Sequence, residues 1–364
     1  MKTARMIGGV LVLLVGFVMI YPCFAPAGQM PSATGYTVLD PIRHGALTVF
    51  PVVAGTSHDT REFITLDEGL RSGEVVISEA GSISPLVRPR NNDGVWREGH
   101  RDGAQVNSLV LVNNSKRPLI LLAGEIVTGG KQDRIIGKDR LVPAESDPID
   151  LGVFCVEPGR WVGASGNFQK TPAMVQPSVR SKAMSDKNQQ EVWNEVGSAR
   201  GAMAAAVPSS ASEAVEVTSS YAGVMQNSEV EKRVDEVAAP VERDYQSLIR
   251  QLKDKNAVGV VVAVNGQIIW ADIFASSDLL AKYWPKLVRS YAAEAVTNRG
   301  NHQEVDQISA QKFLNELEGR KQVVESEPGL FRHAETTGDG FRVFQLTSLL
   351  PKTGFDLHIA KIAD

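Results

Sequence analysis

Between Leu109 and Trp161, charged residues, glycines and apolar runs crowd into less chain than anywhere else in the sequence. The residues able to do chemistry fall in two short pieces. The first is Glu125 followed by Gly129-Gly130-Lys131-Gln132-Asp133-Arg134; the second is Glu157-Pro158-Gly159-Arg160-Trp161. A Gly-Gly pair lets the backbone take positive φ or approach a ligand closely. In a strand, Lys131 and Asp133 would point one way and Gln132 and Arg134 the other; a tight loop would gather all four. Lys131 and Arg134 suit an anion, and Gln132 a polar edge. Glu125 and Asp133 could divide into acid and base if their surroundings differ, with Glu157 on a neighbouring strand. The plainer reading is a solvated hairpin tip, a structural Glu157–Arg160 ion pair and a core or pocket-wall Trp161.

Several chemistries are excluded. A phosphate-cradling P-loop needs Gly where Glu125 stands and Ser or Thr where Gln132 follows Lys131. The six histidines (His44, His58, His100, His302, His333 and His358) lack the paired spacing of a zinc protease helix, and two cysteines are too few for a Cys-rich metal site. Neither a Gly-x-Ser-x-Gly elbow nor a dinucleotide-binding glycine fingerprint occurs. No metal is therefore assigned, and the cofactor is unknown. Cys155, in an apolar run, reads as a small buried hydrophobe, and His358 as a satisfied or exposed strand residue.

The pattern L-L-A-G-E-x-x-x-G-G-K-Q-D-R followed by V-F-C-V-E-x-G-R-W resembles the domain family named for its association with ADP-ribosylglycohydrolases and rhodanese-phosphatases. The resemblance is concentrated in residues 109–161 and extends through Tyr36–Val112 and Val258–Val296. It implies a link to ADP-ribose or a related NAD-derived metabolite, by genomic association and not by chemistry. It carries over no catalytic residue. Only the positions Glu125, Lys131, Gln132, Asp133, Arg134, Glu157 and Arg160 are indicated.

The elements that must position these residues read as an α+β fold. Four strands (Leu109–Val112, Leu119–Ala123, Arg134–Val142 weakened by Gly137, and Ile149–Val156) are expected as a meander in a β-rich N-terminal lobe. Tyr36–Ile42 and Ala46–Val53 read as earlier strands. Residues 88–103 form a long polar loop in which Arg88 and Arg90 are possible anion contacts, and residues 163–187 form a second loop. Residues 201–240 are poor in large apolar groups and read as a low-complexity connector. Beyond it lie an amphipathic helix from Val241 to Lys253 and a hairpin, Val258–Val264 and Gln267–Phe274, turned by Asn265-Gly266. A helix capped by Ser277, which Pro285 should kink or split, a helix at Gln307–Leu317 and two closing strands complete a C-terminal lobe. The expected divisions are 1–27, a signal peptide; 28–36, a flexible tail; 37–200, the β-rich lobe; 201–240, the connector; and 241–364, the α+β lobe.

With 364 residues and 43% hydrophobic content the chain can bury a sizeable core. Lys2 and Arg5, the apolar run Met6–Ile20 and Ala25-Pro26-Ala27 make an export signal cleaved near Ala27, with an uncleaved anchor as the alternative. Loss of the two positive charges of Lys2 and Arg5 takes the net charge from −4 to −6. A mildly acidic chain without basic clusters is a poor nucleic-acid binder. Cleavage also removes Cys23 and leaves Cys155 without a disulfide partner, in the periplasm or outside the cell. Three function classes stay open: a module binding a small anionic metabolite, a hydrolase or transferase using Glu125 or Asp133 on such a ligand, and a structural envelope protein.

Overall fold

The computed structural model describes residues 35–79, 106–160, 168–252, 256–298, 300 and 303–364. The expected signal segment, the polar loop with Arg88, Arg90 and His100, and Trp161 lie outside them. In chain order the first strands and helix are β1 (Tyr36–Val38), β2 (Ile42–His44), β3 (Leu47–Ala54), β4 (Ile64–Thr65), α1 (Leu66–Ser72), β5 (Val75–Glu79) and β6 (Ser108–Asn113). Then come β7 (Leu119–Leu121), β8 (Glu125–Thr128), β9 (Arg134–Ile136), β10 (Arg140–Val142), β11 (Ile149–Cys155) and β12 (Gln169–Met174). The helices α2 (Pro177–Ser181), α3 (Gln189–Ala206), α4 (Ser209–Val217), α5 (Tyr221–Met225) and α6 (Ser228–Gln251) follow. The chain closes with β13 (Asn256–Val264), β14 (Gln267–Phe274), α7 (Ser277–Thr297), α8 (Gln307–Asn315), β15 (Lys321–Glu327), β16 (Phe331–Thr337), β17 (Phe341–Ser348) and β18 (Asp356–Ala363).

These strands make an antiparallel sheet in the order β1-β3-β13-β14-β18-β17-β16-β15, with β2 also on β3, and two smaller sheets, β12-β8-β9-β11-β6-β5 and β10-β7-β4. The fold is α+β, with a β-rich N-terminal part and a C-terminal hairpin with helices packed on it. β3 is buried at every position, as a strand covered on both faces must be. Its Pro51 falls between the registers of β2 (which ends at Val49) and β1 (which begins at Val52). The missing N–H therefore costs no ladder bond on that side. The Asp40-Pro41 break splits the single expected strand Tyr36–Ile42 accordingly, and β1 starts inside the expected tail. Asn265 (φ 51°) and Gly266 (φ 80°) turn the hairpin as their types require.

Three expectations need correcting. The four central strands are not consecutive neighbours: β7 leaves the meander and pairs with β10, antiparallel, and with β4, parallel. Gly137 ends the third expected strand, and the pieces on either side of it join different sheets. Residues 163–187 hold β12, α2 and a π-helical turn at Lys182–Asp186 where a loop was expected. The connector 201–240 is helical throughout most of its length, and α6 runs on through Pro240. Its buried Val230, Val234, Ala238, Val241 and Tyr245 form one stripe at helical spacing, each buried Val contributing about 1.5–3 kcal/mol. Small residues cover core here by letting helices approach closely, and Tyr245 stacks on Trp284 of α7 at 4.1 Å. Helix α7 likewise continues through Pro285 as one element, because its apolar stripe packs on both sides of the proline. One core cluster contains residues from the motif strands, α3, α6, α7 and the nine-stranded sheet. Among the described residues no helix is long and apolar enough to cross a membrane.

Candidate functional site

The turn between β8 and β9 is built by its two glycines, Gly129 at φ 126° and Gly130 at φ 53°. A Cβ on Gly130 would sit 2.3 Å from the Phe168 ring and 2.6 Å from Glu79 Oε1, so the position excludes any side chain. That approach lets the Lys131 N–H donate to Glu79 Oε1 at 2.8 Å. Two residues on, the Asp133 N–H donates to Glu157 Oε2 at 2.9 Å. The Asp133 carboxylate accepts from the Gly129 N–H at 3.1 Å and from the Ser220 hydroxyl at 2.7 Å. Arg160 ties the two carboxylates together, with Nη2 at 2.5 Å from Glu157 Oε2 and 3.4 Å from Asp133 Oδ1. The Gln132 amide nitrogen donates to the Glu157 carbonyl at 3.1 Å. Arg134 is fully buried and donates through Nε to the Val106 carbonyl at 2.8 Å.

Lys131, Gln132, Asp133, Arg134, Glu157 and Arg160 therefore share one cluster, joined by Glu79 and Ser220. Sequence reasoning missed those two because Ser220 comes from the segment read as a connector and Glu79 from a strand edge. Burial pushes the Asp133 carboxyl above the usual carboxylate range, and Glu157 adds to this against the pull of Ser220, Gly129 and Arg160. The Arg160 guanidinium is held up by its bond to Glu157 and keeps a quarter of its side chain in solvent. Two oxygens in this cluster, Glu79 Oε2 and Gln132 Oε1, are buried with no hydrogen-bond donor among the described residues, an arrangement that costs about 1–3 kcal/mol per group when nothing fills it.

Glu125 is not part of this cluster. It is fully buried beneath α7, where Lys286 Nζ lies 2.5 Å from Oε1 and the Leu122 N–H donates to Oε2 at 2.7 Å. Asp67 of α1 takes the same ammonium at 2.9 Å. Burial alone would lower the Lys286 ammonium, but Glu125 and then Asp67 hold it above its usual value. Two carboxylates share one cation in this arrangement, and it locks α1 and the motif strands to α7. Glu125 and Asp133 thus have different surroundings, as acid and base would need, but they do not face a common space.

A model of the ARG and Rhodanese-Phosphatase-superfamily-associated Protein domain, ARPP-1, matches residues 35–358. The chain belongs to this family. No curated protein and no solved structure matches it. The ARPP-1 match spans both the motif cluster and the C-terminal strands, so the domain is the whole described fold and not the motif strands alone.

A further buried network lies inside the ARPP-1 span. His358 of β18 sits between two carboxylates, Nδ1 at 2.5 Å from Asp139 and Nε2 at 3.0 Å from Asp272. With an acceptor at each nitrogen the ring is an imidazolium donating twice. Arg180 of α2 reaches both Asp272 oxygens at 3.0 Å and lies 4.7 Å over the Trp270 ring. The Tyr291 hydroxyl also donates to Asp272. Gly124, at φ 87°, leaves room for the Arg180 stem, which a Cβ would approach to 2.9 Å. No sequence motif announces this group, whose members are scattered from 139 to 358. Among the described residues no group of three or more His, Cys, Asp or Glu side chains is placed to hold a metal ion.

The network makes stability depend on pH. Burial would lower the His358 pKa, but Asp139 and Asp272 raise it to about 8 from 6.5. A group whose pKa is raised by folding stabilises fully below its unfolded pKa, and that stabilisation is lost as pH rises through the folded value. Between pH 6.5 and 8.5 the unfolding free energy should therefore fall by roughly 1–2 kcal/mol, since one pKa unit is 1.36 kcal/mol and the window covers most of the shift. Urea unfolding at both pH values checks this, with His358→Gln expected to flatten the dependence.

Proposed function

We propose that this domain is exported and binds a small anionic metabolite, ADP-ribose or a related NAD-derived compound, at the Gly129–Arg160 cluster. The observation that carries the reading is the pair of buried acceptors, Glu79 Oε2 and Gln132 Oε1, without donors among the described residues and beside a partly exposed guanidinium. Ribose hydroxyls are donors that would fill the two oxygens. Arg160 and Lys131 supply positive charge for phosphate, and the left-handed glycines bring backbone close to the ligand. The family's description by association with ARG points the same way. Export rests on the N-terminal sequence pattern.

Thermal unfolding with ADP-ribose, nucleotides and sugar phosphates tests the reading. At a hundredfold excess over the dissociation constant, a binding metabolite stabilises by about 2.7 kcal/mol. Gln132→Leu should abolish that response while leaving the unliganded melting temperature within a few degrees. If no compound moves the transition, the domain is a structural envelope protein with a satisfied salt-bridge cluster.

The raised Asp133 carboxyl specifically favours a second reading, hydrolysis or group transfer on the same ligand with Asp133 as the acid. Glu125 is walled off by Lys286 and would take no part. Asp133→Asn would then retain affinity and lose turnover.

A further inference from the structure

At one end of the nine-stranded sheet, on the face that carries α8, lies a cavity of about 350 Å³, away from the motif cluster. Its volume is in the range of small-molecule sites. Three neighbouring strands contribute a row across its floor: Arg332 pairs in register with Thr347, and Thr347 with Asp356. An arginine and an aspartate so placed would ordinarily form an ion pair. Here the threonine hydroxyl stands between them. It accepts from Arg332 Nη2 at 3.4 Å and donates to Asp356 Oδ1 at 2.6 Å. Among the described residues no other acceptor takes the remaining Arg332 N–H groups, and no other donor reaches Asp356. A cation and an anion thus face one cavity, held apart by one hydroxyl, each with open hydrogen-bonding capacity.

Two stacked rings also line the cavity. His58 stacks on Phe355 with centroids 4.1 Å apart and planes 13° from parallel, and the His58 backbone N–H donates to the Ala275 carbonyl at 2.9 Å. Tyr36 completes the rim, and burial, with Asp356 nearby, pushes its phenol above the usual value, so it stays a neutral hydroxyl. The charges match a zwitterion better than a simple anion. A phosphate or carboxylate alone would satisfy Arg332 and be repelled by Asp356, whereas a ligand bearing an ammonium next to a carboxylate satisfies both.

We propose that this cavity binds a free α-amino acid with an apolar or aromatic side chain. Its carboxylate takes the Arg332 fork, its ammonium donates to Asp356, and its side chain lies against the His58–Phe355 stack. The site is independent of the motif cluster.

Calorimetric titration of the whole protein with L-phenylalanine and L-leucine tests the proposal. Saturable binding is expected for both. N-acetyl-L-phenylalanine, which lacks the ammonium, and L-phenylalaninamide, which lacks the carboxylate, should each bind more than about tenfold more weakly, because each leaves Asp356 or Arg332 without its charge-assisted partner. Arg332→Ala should abolish binding and Asp356→Asn should weaken it for the free amino acid while leaving N-acetyl-L-phenylalanine unaffected. Arg332 is exposed, so its variant should keep the wild-type melting temperature, which confirms that lost binding is local. Gln132→Leu should leave amino-acid binding unchanged, which separates this outcome from the fate of the metabolite reading. Absence of heat with either amino acid, equal binding of inorganic phosphate, or retained binding in Arg332→Ala would each overturn the proposal.

Discussion

Arg180→Met is expected to destabilise the protein by about 3–5 kcal/mol, the cost of leaving a buried charge without its partner. Asp272 is fully buried, and its carboxylate is held well below the usual range by Arg180 and His358 against burial. Methionine would fill much of the guanidinium's volume against Trp270 but supply no charge. Asp272 would then share a single cation, His358, with Asp139. Chemical denaturation at pH 7 measures the loss. The variant should also be more pH-sensitive than the wild type, since only His358 then balances two carboxylates. A loss below about 1 kcal/mol, the value typical of an exposed ion pair, would mean that water reaches the network. The same group explains why two helices, two strands and a loop distant in sequence hold one arrangement. Asp139 comes from the β9–β10 loop, Arg180 from α2, Asp272 and His358 from adjacent strands, and Tyr291 from α7.

Lys286→Met should cost a similar amount, about 3–5 kcal/mol, for the same reason. Glu125 would lose the cation that makes its burial tolerable, and it has no solvent to turn to. Two features distinguish this site from the first. Asp67 keeps about a fifth of its side chain in solvent, so it can rehydrate, and the penalty falls mainly on Glu125. Adding Glu125→Gln to Lys286→Met should therefore recover a large part of the loss, whereas adding Asp67→Asn should recover little. The double-mutant cycle, read from urea midpoints with unchanged slopes, gives the coupling directly. Because Glu125 holds Leu122 and α7 in place and does not face the Gly129–Arg160 cluster, Glu125→Gln should alter stability without altering any ligand response at Gln132. A selective loss of ligand response in Glu125→Gln would return Glu125 to the site.

How far the chain could be read depended on the distance over which each physical signal acts. The hairpin at Asn265-Gly266 was legible because the turn type follows from two adjacent residues. The convergence of Asp133, Glu157 and Arg160 was also within reach, because the glycine turn and the strand after it are local, and β9 and β11 pair directly. Ser220 and Glu79, which complete that cluster, arrive from segments with no signal of their own. Residues 201–240 misled because few large apolar groups suggests little core, yet a valine and alanine stripe is enough when neighbouring helices are close. At Pro240 and Pro285 packing carries one helix through a local helix breaker.

The sequence by itself determined the α+β class and the glycine turn and, Glu125 apart, pointed to the charged residues of the motif that stand together, because periodicity and turn chemistry act over a few residues. Tertiary structure alone decided that Glu125 answers to Lys286 and not to Asp133, and that Asp139, Arg180, Asp272, Tyr291 and His358 meet. It also decided that Arg332 and Asp356 face one cavity without pairing. Charges are placed by whatever the fold brings beside them, and in a buried setting the partner's identity sets both the proton and the energy.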